Sequence, residues 1–138
     1  MLMDTITYAT GATAPVKQAG GSFLTGSLYE IAGSTLSQPT NAAVLMRFSV
    51  NRAIVMPAGL TNSYAESTVA ATGSTVYSIK KNGSEVGTMT FAASGTIATF
   101  AMASQTSFAI GDILTVVAPA SADATHTDIA WTLTATIA

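Results

Sequence analysis

Hydrophobic and polar positions alternate most cleanly at the end of the chain, where Ile129, Trp131, Leu133 and Ala135 fall on one face and Ala130, Thr132, Thr134 and Thr136 on the other. A period of two sustained over eight residues predicts a half-buried β-strand. Val76 to Phe91, reading VYSIKKNGSEVGTMTF, sets Asn82-Gly83 between two runs rich in β-branched and aromatic residues. That dipeptide suits a two-residue type I′ turn, which needs positive φ at both central positions, so the stretch predicts a hairpin turning at Asn82 and Gly83. In the implied register Lys81 faces Ser84, Lys80 faces Glu85 and Ile79 faces Val86.

Ala43 to Met56, AVLMRFSVNRAIVM, is the first sustained apolar run and is ended by Pro57-Ala58-Gly59. Val44, Met46, Phe48 and Val50 share a face, with Arg47, Ser49 and Asn51 opposite, and Arg52 restarts the pattern so that Ile54 and Met56 continue it. One long strand or a helix of about three turns fits; the Val, Ile and Phe content favours strand. A short strand or a turn of helix is expected around Tyr64 to Val69, and further strands over Ile97 to Met102 and over Ile113 to Ala118 after a turn at Gly111-Asp112. Pro119 stops the last of these.

Residues 1–43 are rich in Gly, Thr, Ser and Ala, with Pro15 and Pro39 as breakers and Gly20-Gly21 as a joint. They read as an extended N-terminal arm, or a mobile terminus, with short strands at Ile6 to Tyr8 and Ser27 to Ala32. In the second piece Leu28 and Glu30 fall on one face, and Tyr29 and Ile31 on the other. Residues 44–138 then form the folded domain. About six to eight strands at spacings of roughly 8 to 15 residues, without an amphipathic helix, predict an all-β antiparallel sandwich or jelly roll.

Composition changes the picture from fold to surface. Charged residues are 9% of the chain and apolar ones 49%, with a net charge of -2. Soluble monomers commonly carry about 25% charged residues, so a surface covered by Ser, Thr, Ala and Gly predicts burial against other chains. Leu28, Tyr29, Arg47 and Arg52 are the candidate assembly contacts; for the two arginines the alternative is a solvent-facing strand position. Lys80, Lys81 and Glu85 put three of the twelve charged residues (five Lys and Arg, seven Asp and Glu) at the hairpin tip, which predicts a solvent-facing end.

The same composition limits the chemistry. Cysteine is absent, so neither disulfides nor thiolate metal sites contribute to stability. Met1-Leu2-Met3-Asp4 lacks the basic and apolar regions of a signal peptide, and no apolar run reaches the roughly 18 residues of a membrane span. Synthesis in the cytoplasm and no membrane partner are therefore expected. Scattered cations make no phosphate-binding stripe, so no nucleic-acid partner is expected. His126 with Asp123 or Asp128 has the residue types of a triad or a cation site, but lacks a nucleophile elbow and any recognised metal-loop spacing. The segment reads instead as a solvated loop, with no catalytic residue, metal or cofactor.

Three pieces together carry a family resemblance: NRAIVMPAGLTNSYA at Asn51 to Ala65, VYSIKKNGSEVGTMTFAA at Val76 to Ala93, and TSFAIGDILTVVAPASADATHTDIAWTLTA at Thr106 to Ala135. The block resembles a β domain recurrent among structural proteins of tailed bacteriophages. The resemblance implies a non-enzymatic virion component. A short, Thr-rich domain with an arm suits a capsid decoration, or cement, protein, expected as a homotrimer bound to the major capsid protein. The alternative is a tail or fibre component attached to tail proteins or to the host surface.

Overall fold

The computed structural model of the protein describes residues 26–138. Its strands are β1 (Leu28–Thr35), β2 (Val44–Ser49), β3 (Ile54–Met56), β4 (Tyr64–Val69), β5 (Thr75–Lys81), β6 (Ser84–Phe91), β7 (Ala98–Ala101), β8 (Thr106–Phe108), β9 (Ile113–Val117) and β10 (Thr127–Ile137), with one 3-10 turn at Ala58–Leu60. They make two antiparallel five-stranded sheets. The first has the order β1-β10-β3-β8, with β4 also paired to β10; the second runs β2-β9-β5-β6-β7. Inward side chains of both sheets, among them Ile54, Leu133 and Trp131 from the first and Tyr77, Phe91 and Leu114 from the second, form one buried cluster. The expected all-β sandwich is therefore present, with ten strands in the described residues.

β8 is a strand the sequence did not mark, and two further elements depart from the expected layout. The run from Ala43 to Met56 is not continuous: β2 and β3 lie in different sheets, so each half of the run supplies core residues to a different layer. The break falls after Val50, whose amide donates to the Asp112 carbonyl (2.9 Å) and whose carbonyl accepts from the Gly111 amide (2.8 Å). A bulge between Val44 and Met46 turns Val44 outward, away from the face shared by Met46, Phe48 and Val50. Secondly, Leu28–Thr35, expected within an arm, is a full edge strand. It pairs with β10 residue for residue from Leu28↔Thr136 to Thr35↔Ile129, so the sandwich begins before residue 44. The arm's Ile6 to Tyr8 piece and its Gly20-Gly21 joint lie outside the described residues.

β10 organises the first sheet. Its alternation places Ile129, Trp131, Leu133 and Ala135 in the core, as their spacing predicts. Thr134 is buried as well, because its hydroxyl donates to the Asn62 carbonyl (2.9 Å) and its amide to Ser63 Oγ (2.9 Å).

The β5–β6 hairpin has the expected turn, with φ of 48° at Asn82 and 88° at Gly83. Lys81↔Ser84 and Lys80↔Glu85 also stand as expected. A bulge then shifts the register, so Ile79 faces Gly87 and not Val86. Gly87 suits that place: a Cβ there would lie 2.8 Å from the Ala101 carbonyl oxygen of the neighbouring strand region.

Lys81 and Asn82 are also tied down. Lys81 Nζ donates to the Ser107 carbonyl (2.7 Å) and lies 3.2 Å from Asp112 Oδ2. Asn82 Nδ2 donates to Asp112 Oδ1 (2.8 Å), while the Ile113 amide donates to Asn82 Oδ1 (2.8 Å). Asn82 thus supports both its own left-handed backbone and the β8–β9 turn. Asn82→Ala is expected to cost about 2–3 kcal/mol by equilibrium denaturation, from the left-handed conformation and the lost side-chain bonds. Asn82→Gly, which relieves only the backbone term, is expected to cost less.

Candidate assembly surface

The six residues singled out in the sequence do not gather into one patch. Asn82 and Gly83 form the hairpin turn at one end of the sandwich. Leu28 opens β1 and is 68% exposed. Tyr29, next to it, points the other way: its ring meets Phe48 edge-on at 6.4 Å between centroids, and its hydroxyl donates to Asn51 Oδ1 (2.9 Å). Tyr29 therefore ties the edge strand of one sheet to the β2–β3 crossover that leads out of the other. Arg52 is half-buried in that crossover.

Arg47 is exposed on β2, where the sheet order gives it a neighbour that its sequence position does not reveal. Arg47 lies opposite Thr115 on β9, and Thr115 lies opposite Lys80 on β5. These residues, with Val44, Val117 and Ile113, line an open groove on the outer face of the second sheet. It holds two of the five cations in the chain, and no acidic side chain lines it. A groove with an apolar floor between two cations has the chemistry to receive a segment bearing a carboxylate.

Short side chains occupy much of the remaining outer strand faces, interrupted by exposed Leu28, Glu30, Tyr64, Glu66 and Val76. On the first sheet Ala32 and Ser34 of β1 stand beside Thr132 and Ala130 of β10, with Tyr64 and Glu66 of β4 beyond. On the second, Thr88 faces Ala101 and Thr90 faces Thr99.

His126 departs from the solvated-loop expectation, because its side chain is completely buried. Nδ1 is 2.7 Å from the Tyr77 hydroxyl, and the ring packs edge-to-face on Phe91 with centroids 4.5 Å apart. Burial lowers the imidazole pKa, opposed by the nearby Asp123 charge, and burial pushes the Tyr77 phenol above its ordinary range. Asp123 does not complete a triad. Its carboxylate accepts from the amides of Thr125 (2.9 Å), Gly73 (3.1 Å), Thr72 (3.0 Å) and His126 (3.2 Å), and from the Thr72 and Thr125 hydroxyls. Those bonds, the Thr125 amide first, hold the carboxyl well below the usual range. The pair is a staple between the loop before β10 and the turn before β5. Sequence alone brought the His126 and Asp123 residue types together, but the partner Tyr77 lies 49 positions away.

Among the described residues, no group of three or more His, Asp or Glu side chains stands close enough to hold a metal ion. No family model matches the chain, and no curated protein matches it significantly.

Proposed function

We propose that the protein is a bacteriophage virion component, a capsid decoration protein that binds the major capsid shell and stabilises it. The observation that carries this reading is the chemistry of the outer sheet faces. Ala32, Ser34, Ala130, Thr132, Thr88, Thr90 and Thr99 present short side chains on paired, regular strands. Covering Ala, Ser or Thr sacrifices little rotamer freedom, whereas each Lys, Arg or Glu immobilised costs about 1.5–2 kcal/mol. Such faces suit permanent burial against a larger protein assembly. The Arg47–Lys80 groove adds a point at which a carboxylate of that partner would fix orientation. The resemblance of Asn51 to Ala65, Val76 to Ala93 and Thr106 to Ala135 to phage structural domains supports a virion setting.

The test is a copy count in purified virions, with heat tolerance measured on particles that lack the protein. Hundreds of copies and a lowered inactivation temperature are expected for a decoration protein. A few copies per virion would sink that reading and favour a tail or fibre component.

A further inference from the structure

The long edge of the first sheet is open among the described residues, and its chemistry is self-complementary. On β10 the odd-numbered backbone groups face β1: the Ile137 amide donates to the Ser27 carbonyl (2.8 Å). The even-numbered ones face the other way, as the Ala138 amide on the Ala53 carbonyl (3.0 Å) and the Thr134 amide on Ser63 show. The register of Leu28↔Thr136 carries that parity onto β1. Tyr29, Ile31, Gly33 and Thr35 therefore bond to β10, while the amides and carbonyls of Leu28, Glu30, Ala32 and Ser34 point out of the sheet. No described strand pairs with that side.

Exposed strand edges are normally guarded, and the other edges here are. β2 carries a bulge and Arg47. β7 and β8 are four and three residues long. β4 is covered on its outer side by a bridge from Glu66 to Ile97 and by the Ser67 amide on the Thr96 carbonyl (2.8 Å). β1 is eight residues long, unbulged, and free of Pro, Lys and Arg.

We propose that β1 pairs with β1 of a second copy, antiparallel across a two-fold axis, joining two five-stranded sheets into one. The outward bonding groups limit the register to pairs of even-numbered residues. Placing Glu30 against Glu30 of the other copy opposes like charges. Placing Glu30 against Ala32 leaves Leu36, 80% exposed just past the strand end, uncovered. Centring the axis on Ala32 puts Ala32 against Ala32, Glu30 against the Ser34 hydroxyl, and exposed Leu28 against exposed Leu36 at both ends. That register covers two of the three most exposed large apolar side chains and gives each carboxylate a donor. The contact is isologous and closed, so it produces pairs of chains rather than the trimer expected from sequence. It stands independently of the decoration reading.

Sedimentation of the full chain tests it, together with single-cysteine cross-linking, which is clean because the chain has no cysteine of its own. Dimers or a higher even assembly are expected. Ala32→Pro removes an amide that points away from β10, so the fold is retained by far-UV circular dichroism while the dimer dissociation constant rises about 100-fold. Under mild oxidation Ala32→Cys cross-links two chains and Ser34→Cys does not, since only position 32 meets its own copy at a disulfide-compatible separation. A wild-type monomer, a trimer, a folded Ala32→Pro variant that dimerises with unchanged affinity, or cross-linking at 34 in place of 32 would each overturn the proposal. A monomer whose Glu30, Ala32 and Ser34 amides exchange slowly with solvent would also overturn it, by giving that edge to another segment of the same chain.

Discussion

Gly33→Val is expected to lower the unfolding free energy by about 3 kcal/mol or more, and to shift the emission of Trp131 to longer wavelength. Gly33 faces Trp131 across the β1–β10 ladder, and the indole lies over the space a side chain would fill. A Cβ at position 33 would sit 2.5 Å from Cζ2, 2.6 Å from Cε2 and 2.7 Å from Nε1 of that ring. Trp131 is 3% exposed and belongs to the buried cluster, so moving the ring disturbs the packing of its core neighbours. Either the ring leaves its rotamer or β1 separates from β10. Gly33→Ala is expected to cost about 1–3 kcal/mol for the same reason, with the smaller clash. As the chain has a single tryptophan, its fluorescence reports this site alone. Denaturant midpoints of the valine variant that match wild type would show that the ring is not confined by Gly33.

The second large effect is a loss of stability in acid that begins near neutrality. His126 is the only histidine, is completely buried, and has a folded-state pKa below its ordinary value of 6.5. Depression of a base means that the folded protein holds its proton less tightly than the unfolded chain does. Stability is therefore full above about pH 6.5 and declines as pH falls from there toward the folded pKa, by at most about 1.4 kcal/mol per pH unit for one proton. Asp123 adds a separate acid limb. Its folded pKa is depressed too, so its stabilisation is present above the ordinary carboxyl range near 4 and is lost as pH falls below it. Unfolding free energies measured from pH 8 to 5 are expected to slope for wild type and to be flat for His126→Gln. Tyr77→Phe, which strips the partner from buried Nδ1, is expected to cost about 1–3 kcal/mol at pH 8. A flat wild-type profile over that window would contradict the burial of a neutral imidazole.

Legibility in the sequence followed the range of the interactions concerned. The Asn82-Gly83 turn was readable because it is decided by φ at two adjacent residues. β10 was readable because one buried face imposes a period of two on eight successive positions. The bulge on β6, where Val86 is the extra residue between Glu85 and Gly87, was not; Gly87, with the Ala101 carbonyl against it, was the sole local hint. The split of Ala43 to Met56 was readable only as a fault in alternation at Asn51-Arg52, and a fault does not say that the chain changes sheets. Leu28–Thr35 reads as part of an arm because it sits in a stretch, residues 1–43, dominated by Gly, Thr, Ser and Ala. Its hold on the sandwich comes from β10, almost 100 positions later.

The candidate surface divides in the same way. Scarcity of charge was plain from composition, which no fold can alter. Which charges and which small residues share a face required the strand order. Arg47 and Lys80 are neighbours only because β9 runs between β2 and β5, and His126 is a core residue only because Tyr77 and Phe91 close over it. Local backbone preference and periodic burial are written in adjacent residues and can be read there. Pairing across sheets depends on contacts between positions tens of residues apart, so the hairpin, the last strand and the neutral surface were evident beforehand, while the edge at β1, the buried histidine and the two-cation groove emerged only when the sheets were assembled.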